Sequence, residues 1–272
     1  MLKNWMLTCA AIALAISCSA CPNKTEEPAG DGGTDGGSGA ATTAAITPAK
    51  DGEGATLSGK VTFKGEAPDR RPLPVEGNTY CKEHAEKAGA APRREDIVVE
   101  GGNLVNAVVY IKAAGSGFTA PSTGPTLDQV GCVYTPHVVA VQTGQPLKIH
   151  NGDDTSHNVH SYAKKTGNPK FNDAQATKGM EMTQTFKTHE FVQVKCDVHS
   201  WMESYVAVFD HSFFAVTGKD GSFTLKNVPA GEWEVSVWHE KGGEKSQKIK
   251  VDAKATKSDI AFEYTADDMK KR

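Results

Sequence analysis

The chain is poor in the features that mark several large functional classes. Charge of one sign is missing: 30 lysines and arginines face 33 aspartates and glutamates, for a net charge of -3, with no basic face or long charge run. That excludes nucleic acid as the main partner. Amphipathic helical periodicity is scarce, and only one short segment, "YCKEHAEKAG", reads as a helix, stopped near Gly89. No glycine-rich phosphate loop follows a strand, no G-x-S-x-G elbow is present, and C-x-x-C-H for covalent haem is absent. No apolar run is long enough to span a bilayer as a mature helix: residues 5–17, "WMLTCAAIALAIS", are too short. Cysteine is sparse as well, with six in 272 residues.

What is present is a series of short alternating runs punctuated by glycine. "SGKVTFKG" puts Val61 and Phe63 on one side; "LVNAVVYIKA" puts Ala107, Val109 and Ile111 on one face; "GEWEVSVW" aligns Trp233, Val235 and Val237. About fourteen such candidates at regular spacing predict an all-β chain of sandwich or barrel type, in two units. Residues 22–54, with "GDGGTDGGSGA", bury too little apolar area to offset their ordering entropy and read as a flexible linker.

The N-terminus, with its short apolar core followed by "SCSAC", resembles a bacterial lipoprotein signal, which places the signal at 1–21 and makes Cys21 or Cys18 the lipidated residue. Neither has the leucine three residues ahead that the usual lipobox carries, and an ordinary cleaved signal is the alternative. The resemblance implies an exported, lipid-anchored protein on the periplasmic or surface side of a bacterial cell envelope. With Cys21 taken by the anchor, Cys81, Cys132 and Cys196 remain in the folded body. Cys81 and Cys132 are expected to form a disulfide, leaving Cys196 as the odd thiol that needs an explanation. The sharper alternative is a second metal site from Cys81, Cys132, His84 and His137.

Cys196 opens "CDVHSWM" at the end of the strand "EFVQVK", where Val192, Val194 and Cys196 point to one side. A thiolate, imidazoles and a thioether together suit copper: two histidines and a cysteine with a weak axial methionine make a blue-copper site, whereas hard cations want carboxylates. The loop offers Cys196, His199 and Met202, and His157 is the obvious second histidine. Zinc, or a buried thiol with Met202 and Trp201 as core filler, are the competing readings. The binuclear copper centre of oxidases needs two cysteines in this loop, and only Cys196 is there.

"NGDDTSHNVH" and "CDVHSWM" resemble the cupredoxins, closest in the ligand loop to the amicyanin type. The resemblance covers residues 126–210. It implies one copper ion held by His157, Cys196 and His199 with Met202 axial, and Asn158 holding the cysteine loop by hydrogen bonds. It also implies an electron exit at an exposed edge of His199, beside which Trp201 is either a docking patch or plain packing. His160 reads as a surface or neighbouring imidazole, and His189, His211 and His239 as ordinary polar residues.

The flanking parts, "GKVTFKG", "NAVVYIK" and "TGKDGSFTLKNVPAGEWEVSVW", resemble the carboxypeptidase regulatory-like, or transthyretin-like, sandwich. That implies a sandwich from 55–125 and 211–265, either interrupted by the cupredoxin-like domain at 126–210 or packed with it in tandem, and no peptidase activity. The expected function is a membrane-tethered carrier of single electrons between redox proteins. It would be no enzyme and would have no small-molecule substrate. Copper storage, delivery or sensing, and a structural module with a degenerate site, are the alternatives.

Overall fold

The alternating runs do become strands, and the apolar face of each decides where it packs. The structure, a computed structural model, describes residues 45–270, so Cys18 and Cys21 and most of the glycine-rich linker lie outside the described residues. Four sheets account for most of the chain, which is all-β apart from short helices. Among the described residues no helix is long and apolar enough to cross a membrane.

Two sheets are built from residues 126–209. One orders Glu181–Thr185, Pro146–Asn151, Thr126–Gln129 and Tyr134–Thr135; the other orders Asn172–Gln175, His157–Ser161, Glu190–Lys195, Glu203–Phe209 and Val138–Gln142. The strand Glu190–Lys195 alternates buried and half-buried along its length, and Val192 and Val194 enter the core between these sheets with Leu127, Ile149, Val206 and Val208. The other two sheets are built from residues on either side of that stretch. One orders Phe214–Val216, Val108–Ile111, Gly231–His239 and Gly243–Val251. The other contains Ser222–Val228, Ala55–Lys64, Asn103–Leu104 and Val99–Glu100, with Thr256–Thr265 parallel to Ala55–Lys64. Leu57, Val61, Val109, Ile111, Phe223, Val235 and Val237 fill the core between them.

Two observations go beyond the sequence pattern. The strand Val108–Ile111 is buried on both faces. Ala107, Val109 and Ile111 face one core as expected, while Val108 and Tyr110 join Val138, Ala207, Phe209 and Trp238 in a third cluster. That cluster welds the two sandwiches face to face, with Phe191 stacked on Trp238 at 4.2 Å between ring centroids. All of these elements belong to one compact unit, Thr42–Arg272.

The second observation concerns helix α1, Thr79–Ala88. It forms where expected: the Asn78 side chain accepts from the Cys81 N–H at its start, and Gly89 ends it with a positive φ of 80°. Its sequence position groups it with the flanking sandwich, but its buried residues Cys81 and Ala85 lie in the core of the 126–209 sheets, together with Val75. The physical reason is covalent and apolar at once: Cys81 is bonded to Cys132.

Candidate metal centre

Three polar turns meet at one end of the 126–209 sandwich. The first precedes His157. Asn151 shapes it by donating from its amide to the carbonyls of Thr155 and Gln175, and its Oδ1 accepts from the Asp153 N–H. His157 then begins its strand fully buried. The second turn is the Cys196–Met202 loop. It is closed by two backbone hydrogen bonds, Cys196 N–H to the Met202 carbonyl (3.1 Å) and Met202 N–H to the His199 carbonyl (2.9 Å). The third carries Gly131 and Cys132, whose N–H groups both donate to the Asp153 carboxylate, at 2.7 and 2.8 Å.

The structure brings His157, Cys196 and His199 together, with their ligand atoms within 4.8 Å of one another and all three residues buried. The Nδ1 atoms of His157 and His199 are 2.9 Å apart, and Cys196 Sγ is 3.8 Å from His199 Nδ1. Met202 is buried in the same core. Asn158 grips the loop from both sides: its N–H reaches Cys196 Sγ at 3.5 Å, and its Oδ1 accepts from the N–H groups of Asp197 and Val198.

The outer ring nitrogens have partners that the sequence reading did not supply. His157 Nε2 donates to Asp153 Oδ2 at 3.0 Å, which orients the ring so that Nδ1 faces His199 and the Cys196 loop. Asp153, four residues ahead of His157 in the "NGDDTSH" lead-in, was the available signal. His199 Nε2 lies 2.9 Å from the Asn78 amide nitrogen and 3.6 Å from Cys81 Sγ. No local sequence signal pairs residue 199 with residues 78 and 81, because long-range packing alone makes that contact.

This corrects one expectation. His199 has no exposed edge: it is 1% exposed, because the N-terminus of helix α1 and the Cys81–Cys132 disulfide cover it. The group that reaches outward is Trp201, half-buried, its ring centroid 5.1 Å from that of His199, its indole N–H donating to the Cys132 carbonyl at 3.0 Å. Trp201 and Met202 line a cleft of about 530 Å³ with Arg71, Arg93, Arg94 and Lys195 on its walls.

Electrostatics at the cluster favour a thiolate. Burial alone would raise the Cys196 thiol, but hydrogen bonds from His157, His199 and the Asn158 N–H outweigh it and bring the pKa down to about 6. Burial disfavours the charged form of His157, yet its hydrogen bonds to Asp153 and Cys196 and their charges push its pKa above the usual histidine value. Asp153, despite burial, is held below the ordinary carboxylate range by His157 and the two backbone N–H groups.

The other candidates fall elsewhere. Cys81 and Cys132 form the disulfide, so as cross-linked sulfurs they offer no thiolate for the alternative site. His84 lies beside Gly131, and His137 is paired with the buried Glu240 instead. His160 pairs with Asp197 at 3.0 Å and stacks on Tyr162 at the rim. His211 is a satisfied core residue, bonded to the Ile111 carbonyl and the Phe213 N–H. His189 bonds the Val208 carbonyl, and His239 accepts from Lys241 and Gly242.

No family model matches the chain, and no curated protein sequence matches it. Solved structures do show likeness. A purple cupredoxin from Nitrosopumilus maritimus is 19% identical with a TM-score of 0.27, over 31% of this chain and 98% of that one. A Cu(I) form of an amicyanin variant is 21% identical with a TM-score of 0.29, over 37% and 97%. A copper-containing nitrite reductase from Thermus scotoductus SA-01 is 13% identical with a TM-score of 0.30, over 56% of this chain and 28% of that one. Likenesses of this size carry no argument about ligands or activity, so the reading below rests on the residues of this chain.

Proposed function

We propose that His157, Cys196 and His199, with Met202 beside them, hold one copper ion in a protein that carries single electrons. The observation that carries this is the convergence of two imidazole Nδ1 atoms and one thiol with a lowered pKa on a single buried point. The donor set fits the ion: one soft sulfur and two imidazoles suit copper, and no carboxylate oxygen joins the three. Bound there, copper would supply a one-electron couple.

The chain's own residues do the rest. Asp153 orients His157 and Asn158 fixes the Cys196 loop, so the ligands are preset and rearrange little. The N–H of Asn158 on the sulfur, and the dry surroundings of Val159 and Val194, tune the potential. One adjustment accompanies binding. With Asn78 donating to His199 Nε2, the His199 proton sits on Nδ1; a ligand role for Nδ1 moves it to Nε2, where Asn78 must present its oxygen. The ligand residues are 0–2% exposed, which leaves a substrate no approach and supports a carrier over an enzyme. Electrons would then leave by Trp201, the outward-reaching ring against His199, with a redox protein docked at the cleft beside it.

The wider reading is also a proposal. The cupredoxin-like part spans 126–210, and the regulatory-like sandwich is formed by 55–125 and 211–265, with helix α1 lent to the copper part. A signal over 1–21 lipidated at Cys21 or Cys18, followed by the 22–54 linker, would tether the protein on the outer side of a bacterial membrane and keep its partners at high effective concentration. The burial of His199 favours a second reading, copper storage or delivery, because it lengthens the path for an electron; copper off-rate separates the two.

The test is a visible spectrum of the chain loaded with Cu(II). An intense thiolate-to-copper band that bleaches on reduction, returns on reoxidation and is lost in Cys196→Ser supports the proposal. A colourless protein, or a spectrum unchanged in Cys196→Ser, refutes it.

A further inference from the structure

We propose that the Cys81–Cys132 disulfide is a latent second metal site, which on reduction binds Cu(I) through Cys81 Sγ, Cys132 Sγ and Nε2 of His199. The geometry comes first. Cys81 Sγ lies 3.6 Å from His199 Nε2, the ligand atoms of Cys81, Cys132 and His199 all lie within 4.8 Å of one another, and all three residues are buried. The His199 ring thus turns one nitrogen to Cys196 and His157 and the opposite one to the disulfide. Asn78 donates to that second nitrogen at 2.9 Å, so its lone pair is held by Asn78 beside the sulfurs, and an ion bound there takes the place of that hydrogen bond.

The disulfide is not the only tie between helix α1 and the sandwich: the Tyr80 hydroxyl donates to Asp153, and Cys81 and Ala85 are buried in the core of the 126–209 sheets. Cys132 is held by its N–H to Asp153 and by its carbonyl to the Trp201 indole. Cys81 is held in the first turn of helix α1 by the Asn78 cap. Breaking the disulfide therefore frees two side chains while these other contacts still hold helix α1 against the sandwich. Cys81 also sits where the positive end of a ten-residue helix favours a thiolate. Both sulfurs belong to the same buried core as Val75, Ala85, Leu127 and Tyr134, and the Asp153 carboxylate near Cys132 is occupied by His157, Tyr80 and two backbone N–H groups. Two thiolates and an imidazole in a dry pocket select a soft ion content with three ligands, which is Cu(I); zinc would want a fourth.

The chemistry balances with a dithiol as reductant. Its two sulfurs form a disulfide and give two electrons and two protons to Cys81 and Cys132, whose S–S bond breaks to two thiols. Each thiol then releases its proton to solvent as its sulfur binds the ion.

The experiment uses the full chain carrying Cys196→Ser, which removes the thiolate of the first site, so the outcome does not depend on the electron-carrier reading. One half of the sample keeps its disulfide; the other is reduced with dithiothreitol and desalted under nitrogen. Both are titrated with Cu(I) against bicinchoninate, with near-ultraviolet circular dichroism to follow the fold. The reduced form is expected to hold one Cu(I) at least about a hundredfold more tightly than the oxidised form, with two sulfurs per copper by X-ray absorption. In the same chain His199→Ala should remove most of that gain. Equal affinity in the two forms, fewer than two sulfurs per copper, uptake of Zn(II) but not Cu(I), or unfolding on reduction would each overturn the proposal.

Discussion

Replacing Asp153 by asparagine removes one charge and almost no volume, and the structure says what that does. All of the carboxylate's partners are donors: Oδ1 accepts from the Gly131 N–H and the Tyr80 hydroxyl, and Oδ2 from the Cys132 N–H and His157 Nε2. An amide has one oxygen. If it stays on His157 and Cys132, its NH2 confronts Gly131. Tyr80 can turn its hydroxyl to accept, but the half-buried Gly131 N–H cannot. An orphaned donor screened from water costs about 1–3 kcal/mol, and the surviving bonds lose their charge assistance. For a unit of this size each kcal/mol lowers Tm by about 2–4 °C, so Asp153→Asn should melt roughly 2–12 °C below wild type when metal-free. Copper affinity should fall about 10–100-fold, as for other partners of a ligating histidine. Calorimetry of the metal-free protein and a chelator competition measure the two effects. A variant with unchanged Tm and affinity within about twofold would refute the role given to Asp153.

Three further predictions follow from the same residues. In the metal-free protein the thiolate absorbance of Cys196 should rise with a midpoint of about 6, not near the ordinary value of 9.0. Because the folded value lies below the unfolded one, the ionised thiol contributes stability that is full above pH 9.0 and is lost as pH falls through about 6; a midpoint near 9 contradicts the hydrogen bonds assigned to it. Met202→Gln should keep copper bound and lower its potential, since an amide oxygen is a harder donor than a thioether and would favour Cu(II); voltammetry showing no shift would remove Met202 from the site. Gly59→Ala should destabilise the flanking sandwich by about 2 kcal/mol or more, because a Cβ there would stand 1.7 Å from the Ile260 carbonyl oxygen; a urea midpoint equal to wild type would refute the tight pairing of Ala55–Lys64 with Thr256–Thr265.

Much of the His157–Cys196–His199 cluster was legible because local rules write it. Strand alternation put Val192, Val194 and Cys196 on one inward face, and the short loop forces His199 and Met202 to return close to Cys196. Helix α1 was legible from the run "YCKEHAEKAG" and its stop at Gly89, though not from Asn78, whose cap the structure adds. What sequence spacing could not show is what covers the ligands. His199 meets Asn78 and Cys81 from more than a hundred residues away, and that contact exists because a disulfide and a patch of apolar side chains draw the helix onto the sandwich. Strand Val108–Ile111 makes the same point. Its unbroken run "VVYI" was read for one face, yet both are buried, and only the meeting of two sandwiches gives Val108 and Tyr110 their neighbours.

The central claim is that three particular side chains bind one copper. Copper-edge X-ray absorption of the wild-type chain with its disulfide intact tests it most directly. The account predicts a shell of two imidazole nitrogens and one short sulfur contact, with the sulfur lost in Cys196→Ser and one imidazole lost in His157→Ala. A shell of oxygen and nitrogen alone, or one unchanged by either substitution, would contradict it.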